Sequence, residues 1–185
     1  MVTISALWLP ILVASVFVFF ASFVMHTVLP FHKKDWGKLG KEDDVMEALR
    51  GMDVQPGQYV FPHMTDPAQL KDEAFLAKMT RGPVAFLTVI PSGPPNMGKA
   101  LGLYFVYCLV INGAVAYLTG RTLSADADYL AVLRVAGTAA FLAYSGALAP
   151  AAIWKGASWR ATWLEIGDGL VYSLLIAGAF GWLWP

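Results

Sequence analysis

Cysteine and charge are scarce in this sequence, and both shortages limit what the protein can be. The single cysteine, Cys108, lies inside an apolar run, so the 185-residue chain has no disulfide framework and no CxxC pair. Charged residues make up 14% of the chain, whereas soluble domains usually contain ~25%. Formal net charge is zero, and without a basic excess we expect no nucleic-acid partner.

Recognisable catalytic motifs are also missing. No Ser/His/Asp, Cys/His, HExxH or paired-carboxylate signature occurs at a usable spacing, so the sequence predicts no catalytic residue and no enzyme. The segment GPPNMGKA (residues 93–100) nearly matches a P-loop, but two prolines remove backbone donors and Ala100 replaces the hydroxyl that would bind magnesium. We interpret it as the start of a helix, with Lys99 reaching towards lipid headgroups.

Histidine and methionine give only weak indications of a cofactor. His26 follows Ser22 by one helical turn, as a haem or chlorin ligand would, but a bis-histidine haem needs a second histidine inside the membrane. His32 and His63 both lie outside the predicted helices. The Met25-His26 and His63-Met64 pairs hint at copper, yet no Met-x-x-Met array or cysteine partner accompanies them. We therefore predict no metal and no cofactor, other than a bound lipid or quinone.

Long apolar runs are abundant. Hydrophobic residues make up 57% of the chain, and its mean hydropathy is +0.57. Four runs approach or exceed the ~20 residues needed to cross a ~30 Å hydrocarbon core. They predict an all-α membrane protein, a four-helix bundle whose first helix is kinked or thinned near Pro10. The first run lacks a basic leader and a cleavage site, so we expect it to be retained. The spans are about residues 4–29, 98–119, 129–154 and 166–184.

Residues 30–97 form the one sizeable polar segment, a small α/β insertion between the first and second spans. KEDDVMEALRG predicts an amphipathic helix that stops at Gly51, and Asp66-Pro67 predicts the start of a helix that runs to Gly82. The strand-like runs at 57–62 and 84–90 flank the second helix, as in a minimal βαβ unit. Because it is too small to fold independently, we expect it to pack on the membrane face of the bundle.

The distribution of lysine and arginine predicts the orientation. Residues 31–99 hold nine of the thirteen, and the connector between the third and fourth spans holds Lys155 and Arg160. The opposite side has only Arg121, apart from Arg134 inside a span. The positive-inside rule therefore places the insertion in the cytoplasm and both termini outside, in the periplasm of a bacterial inner-membrane protein.

Small residues recur in two of the predicted spans. Such residues let helix backbones approach closely. In the third span, the alanines at 139, 143 and 147 share one face. The fourth span has a small residue at every fourth position, which predicts a helix-packing face made of Gly169, Ser173, Ala177 and Gly181.

Arg134 and Asn112 are predicted at similar depth, roughly 10 Å below the outer boundary at 1.5 Å per residue. One hypothesis is that they line a polar cavity for an anionic or carbonyl-bearing ligand such as a quinone or lipid headgroup. The other is that Arg134 reaches phosphates, Asp126 or Asp128, while Asn112 is a hydrogen bond between helices.

His26 and Asp168 form a second predicted constellation, near the cytoplasmic boundary. Tyr104 and Tyr172 should lie at comparable depth on the second and fourth spans. A His–carboxylate pair there could relay protons or contact a quinone headgroup. These four residues, with Arg134 and Asn112, are the candidate ligand, lipid or quinone site.

Several stretches resemble a family of uncharacterised bacterial four-span inner-membrane proteins: SALWLPI, GPVAFLTVIPSGPPNMGK, RVAGTAAFLAY and DGLVYSLLIAGAFGWLWP. The resemblance covers nearly the whole chain and implies the four-span topology, but no chemistry.

Without a catalytic signature, we expect an accessory or assembly subunit of a larger membrane complex. An energy-transducing complex is one candidate. Its partners would be membrane lipids and other membrane-protein subunits. The alternative is a small oligomeric transporter or channel around an Arg134/Asn112 layer. A lipid-modifying enzyme is a third class, which lacks a nucleophile or metal set.

Overall fold

A computed structural model describes all residues, Met1–Pro185. The protein is mainly helical, with 69% of its residues in helices and one small two-stranded sheet. The chain divides into two compact units, which we call the helical unit (Met1–Gly37 and Asn96–Pro185) and the insertion unit (Lys38–Pro95). Residues 30–37, which the sequence predicts to be part of the insertion, therefore belong to the helical unit.

Four helices of the helical unit are long and apolar enough to cross a membrane. Their bounds lie within a few residues of the predicted spans, except that the fourth begins seven residues earlier, at Trp159 instead of 166. This early start follows from Ser158, whose hydroxyl accepts a hydrogen bond from the Ala161 backbone N–H, at 3.4 Å, and so caps the helix. The four apolar helices are Ile4–Val28, Met97–Thr122, Tyr129–Lys155 and Trp159–Trp182.

The first apolar helix changes its winding at both ends. A 3₁₀ turn, Ile4–Leu7, leads into α1 (Trp8–Phe23), so Pro10 lies in the first turn of α1, where its missing N–H costs little. A π-helical turn, Val24–Val28, then ends the helix, and Leu29 is already extended. Single π-helical turns are rare in proteins, and those that occur are often found at functional sites. This one carries His26.

The third apolar helix is interrupted, whereas the sequence predicts one continuous span. It consists of α5 (Tyr129–Ser145) and a short helix, α6 (Ala149–Lys155), separated by a turn. Pro150 accounts for the break, because its ring would collide with the carbonyl four residues earlier and it has no N–H to donate. Gly156 then ends α6 with a positive φ of 67°, a conformation that glycine adopts readily.

The insertion unit contains α2 (Glu42–Gly51), two strands and a helix between them. The strands are β1 (Gly57–Phe61) and β2 (Ala85–Val89), both close to prediction. They pair antiparallel, with Gly57 opposite Val89 and Phe61 opposite Ala85. The predicted βαβ unit, whose strands are parallel, is therefore wrong: the connection leaves and returns at the same end of the sheet.

The helix between the strands is also divided. Asp66 caps a 3₁₀ turn, Pro67–Lys71, by accepting a hydrogen bond from the Ala68 N–H. Asp72 then caps a separate helix, α3 (Glu73–Arg81). The single helix predicted from Asp66 to Gly82 is interrupted because a second aspartate competes as an N-cap within it.

In the helical unit, α7 (Trp159–Trp182) has the largest buried share and packs mainly on α5, with α1 on another side. The predicted small-residue face of α7 lies at the contact with α5. A Cβ added to Gly169 would collide with the Ser145 Oγ, and one added to Gly181 would meet the Tyr129 ring at 2.6 Å. Ser173 and Ala177, between these glycines, are buried.

The facing surface of α5 differs from the one predicted. Its buried side chains are Val132, Ala136 and Ala140, spaced four residues apart, and Gly137 lies beside Ala177. The predicted alanines at 139, 143 and 147 lie off this seam: the first is partly exposed and the other two are exposed. Several small residues on α5 could form a packing face, and the partner helix decides which of them does.

Replacing Gly169 with valine should destabilise the helical unit. The new side chain would collide with α5, and overpacking of this kind costs about 1–3 kcal/mol. Thermal unfolding in mild detergent, followed by tryptophan fluorescence, measures the effect. The matched control is Gly167→Val on the same helix, because a Cβ at Gly167 meets nothing within 4 Å. Equal unfolding midpoints for the two variants would contradict this packing.

Candidate functional site

A tight turn after the first apolar helix brings a second histidine back to His26. Leu29 and Pro30 end the helix, and a 3₁₀ turn, Phe31–Lys34, follows. The two imidazole rings, His26 and His32, lie with their centroids 4.3 Å apart, tilted by 33°. His32 lies outside the predicted spans, so its position in the sequence alone does not indicate this approach.

Asp168 meets both histidines. Its Oδ2 lies 3.2 Å from the Nε2 of His26 and 3.0 Å from the Nε2 of His32. The His26–Asp168 proximity predicted from the sequence is therefore present, and His32 is an addition. We call these three residues the His–Asp cluster. The side chains of Asp168 and His32 are 7% and 10% exposed, whereas that of His26 is 46% exposed.

A second carboxylate holds His32 from the other side of its ring. The Nδ1 of His32 lies 2.6 Å from the Oδ2 of Asp35, so an N–H at that nitrogen donates to the carboxylate. Arg160 donates to the Oδ1 of Asp35 at 2.8 Å and to the carbonyl oxygen of Phe31 at 2.9 Å. Arg160 thus ties the start of α7 to the turn that presents His32. Neither Asp35 nor Arg160 is among the site residues predicted from the sequence.

The two predicted tyrosines, Tyr104 and Tyr172, are the ends of a series of four neighbouring aromatic rings. Ring centroids are separated by 6.1 Å between Tyr104 and Tyr107, 5.8 Å between Tyr107 and Tyr144, and 5.5 Å between Tyr144 and Tyr172. The hydroxyls of Tyr144 and Tyr172 are buried without a hydrogen-bond partner. This series of rings links α4 (Met97–Thr122) to α7 through α5.

Two clefts border the His–Asp cluster. The lateral cleft, with a volume of about 420 Å³, lies between the first and second apolar helices and is lined by Phe19, Phe20, Ser22, Phe23, His26, Thr27, Ala100, Leu101 and Tyr104. The polar cleft, about 450 Å³, is lined by His26, His32, Asp35, Trp36, Ala147, Leu148, Ala151, Ala157, Ser158, Ala161, Thr162 and Glu165. His26 lines both.

Asn112 is fully buried and bonds between helices. Its side-chain nitrogen donates to the Ser15 Oγ at 3.1 Å and to the Cys108 carbonyl at 2.9 Å. The Ser15 hydroxyl in turn donates to the Ile11 carbonyl at 2.7 Å. This is the arrangement that the interhelical hypothesis describes, and it joins α1 to α4.

Arg134 does not meet Asn112. It lies on an exposed face of α5 and takes part in no ion pair, so it contacts neither Asp126 nor Asp128 in that way. Asp128 instead caps α5 by accepting from the Ala131 N–H at 3.0 Å. The predicted polar layer of Arg134 and Asn112 is not formed, because equal depth along two helices does not place two side chains on facing surfaces.

One sequence signal could have found the missing residues. His32 and Asp35 are three residues apart directly after the first predicted span, and Arg160 lies in the connector before the fourth. What the pattern could not show is the reversal at Leu29–Pro30 that returns the turn to Asp168. No protein-family model, curated protein or solved structure matches this chain, so the resemblance to four-span bacterial proteins stays a prediction.

A double-mutant cycle on Ser15 and Asn112 should show coupling. Replacing each with alanine, singly and together, should give a coupling energy of about 0.6 kcal/mol and at most ~1.7, as for other hydrogen bonds between helices. Equilibrium unfolding in detergent provides the measurement. As a control, Asn112→Ala combined with Arg134→Gln should be additive. Coupling between Asn112 and Arg134, with none between Ser15 and Asn112, would support the hypothesis of an Arg134/Asn112 polar layer instead.

Proposed function

We propose that this protein is a multi-pass protein of the bacterial inner membrane and a non-catalytic subunit of a larger membrane complex, where it holds a lipid or quinone at an interface. The four long apolar helices support a membrane location. The concentration of lysine and arginine in the polar segment supports a cytoplasmic insertion and two outer termini.

The lateral cleft is the observation that carries this proposal. At about 420 Å³ it is within the ~300–1,000 Å³ typical of ligand sites. Its walls are phenylalanine and leucine side chains, and its polar groups are the hydroxyls of Ser22, Thr27 and Tyr104 and the imidazole of His26. A lipid and a quinone share the chemistry that fits: a carbonyl that accepts hydrogen bonds, attached to a long apolar chain.

A role beside other subunits is supported by the outer surface of the helical unit. Only 22–28% of the apolar window of each of the first three apolar helices is buried within the chain, against 44% for the fourth. Arg134 stands on this surface without an ion-pair partner. A carboxylate of another subunit or a lipid phosphate would compensate its charge. The transporter alternative required an Arg134/Asn112 layer, and no observation favours it.

Native gels of membranes extracted in mild detergent test the subunit role. We expect the protein to migrate with a larger complex, and Arg134→Leu to weaken that association without lowering the amount of protein in the membrane. The fold should tolerate this change because Arg134 forms no ion pair within the chain. Migration as a compact homo-oligomer, unaffected by the substitution, would contradict the proposal.

Filling the lateral cleft should remove its occupant. In Leu101→Trp the larger side chain occupies the cleft. The amount of lipid or quinone that co-purifies should therefore fall about tenfold or more, and a tenfold loss of affinity corresponds to about 1.4 kcal/mol of binding free energy. Mass spectrometry of organic extracts measures both classes and distinguishes them. Leu103→Trp is the matched control, because Leu103 is exposed on the same helix and does not line the cleft. Equal retention by both variants would argue against a site in the cleft.

A further inference from the structure

We propose that His26, His32 and Asp168 bind one divalent first-row transition-metal ion. One ligand atom from each of the three side chains lies within 4.8 Å of the others. Two imidazoles and one carboxylate form a donor set that suits zinc or iron(II) and leaves further coordination positions open. The inference does not depend on the proposed lipid or quinone role, although His26 lies at both sites.

The distances fit a shared ion. Two ligand atoms each ~2.1 Å from a metal lie ~3.0 Å apart at a right angle and ~3.4 Å apart at the tetrahedral angle. The two His–Asp distances, 3.0 and 3.2 Å, fall within this range. The third pair of ligand atoms is one nitrogen from each histidine. Because the His26 side chain is 46% exposed, its ring can rotate to bring these two nitrogens to a suitable distance.

The charge balance also favours a cation. The Oδ2 of Asp168 and the Nε2 of His32 are buried, and neither has a hydrogen-bond partner of ordinary geometry. No lysine or arginine pairs with Asp168, because the nearby Arg160 is paired with Asp35. A buried carboxylate without a compensating charge is costly. A divalent ion would supply that charge and use both orphaned atoms as ligands.

Asp35 prepares His32 for this role. With the Nδ1 proton directed to Asp35, the neutral imidazole presents an unprotonated Nε2 to the Asp168 side. Metal-bound histidines commonly donate their other N–H to a carboxylate, which fixes the tautomer and the ring orientation. Arg160 in turn anchors Asp35. His26, His32 and Glu165 all line the polar cleft, which would give an ion its route to the cluster.

The competing interpretation is a metal-free ion pair, in which a protonated imidazole compensates Asp168. The test uses the full-length protein, purified in mild detergent without a histidine tag, stripped with a chelator and titrated with Co²⁺. We expect one Co²⁺ per chain, visible ligand-field absorption and displacement by Zn²⁺. His26→Gln and His32→Gln should each weaken binding by more than ~100-fold, beyond the 10–100-fold usual for residues that only support a ligand.

Matched variants keep the outcome clear. His63→Gln removes the third histidine, which lies in the insertion unit, and should leave binding unchanged. Asp35→Asn should weaken binding by about 10–100-fold while the stoichiometry stays at one, since Asp35 positions His32 without binding the ion. His26→Gln alters a half-exposed side chain, so it best preserves the fold, and size-exclusion chromatography verifies this.

Two results would overturn the metal site. The first is wild-type protein that binds no more Co²⁺ than the His26→Gln/His32→Gln double variant, which would leave the protonated ion pair. The second is an equal loss in His63→Gln, which would reveal adventitious binding. Leu101→Trp should lose the lipid or quinone and keep the metal, so the failure of either proposal can be told from failure of the other.

Discussion

The close approach of α7 to α5 is the contact on which the rest of the helical unit depends. Gly169 lies against Ser145, and Gly181 lies against Tyr129, with no room for a side chain at either position. This contact makes α7 the most enclosed of the four apolar helices. Because Asp168 directly precedes Gly169, the same packing holds a carboxylate among helices, where it needs a compensating charge. The His–Asp cluster follows from that requirement.

Much of the architecture follows from composition and periodicity alone. Four apolar runs of sufficient length define the helices, and acidic or serine caps define several of their ends. The breaks were harder to predict, because a proline such as Pro150 is compatible with either a kink or an interruption until the neighbouring packing is known. Strand direction was missed for a similar reason. The length of the connection between β1 and β2 permits either direction of pairing. Only the register, with Gly57 opposite Val89 and Phe61 opposite Ala85, decides it.

The site shows the same limit more sharply. Helical rise predicts the depth of Asn112 and Arg134 along their helices, but rotation about the helix axis decides which side chain points inward. Asn112 points to Ser15, and Arg134 points away from the bundle. His26 and Asp168 were found because each lies at the predicted boundary. His32 was missed because its position results from a chain reversal, which hydrophobic periodicity does not record.

The absence of a catalytic motif and the presence of a metal-competent cluster are compatible. Sequence motifs record ligands that are close along the chain, such as the two histidines of HExxH on one helix. Here the histidines are separated by a helix end and a turn, and the carboxylate comes from the far end of the chain. Only the packing of α7 brings them together. His26 lines both clefts. A change in the position of its ring would therefore alter the contacts of an ion in the polar cleft and those of an occupant of the lateral cleft. One half-exposed side chain is thus the physical link through which the two sites could influence each other.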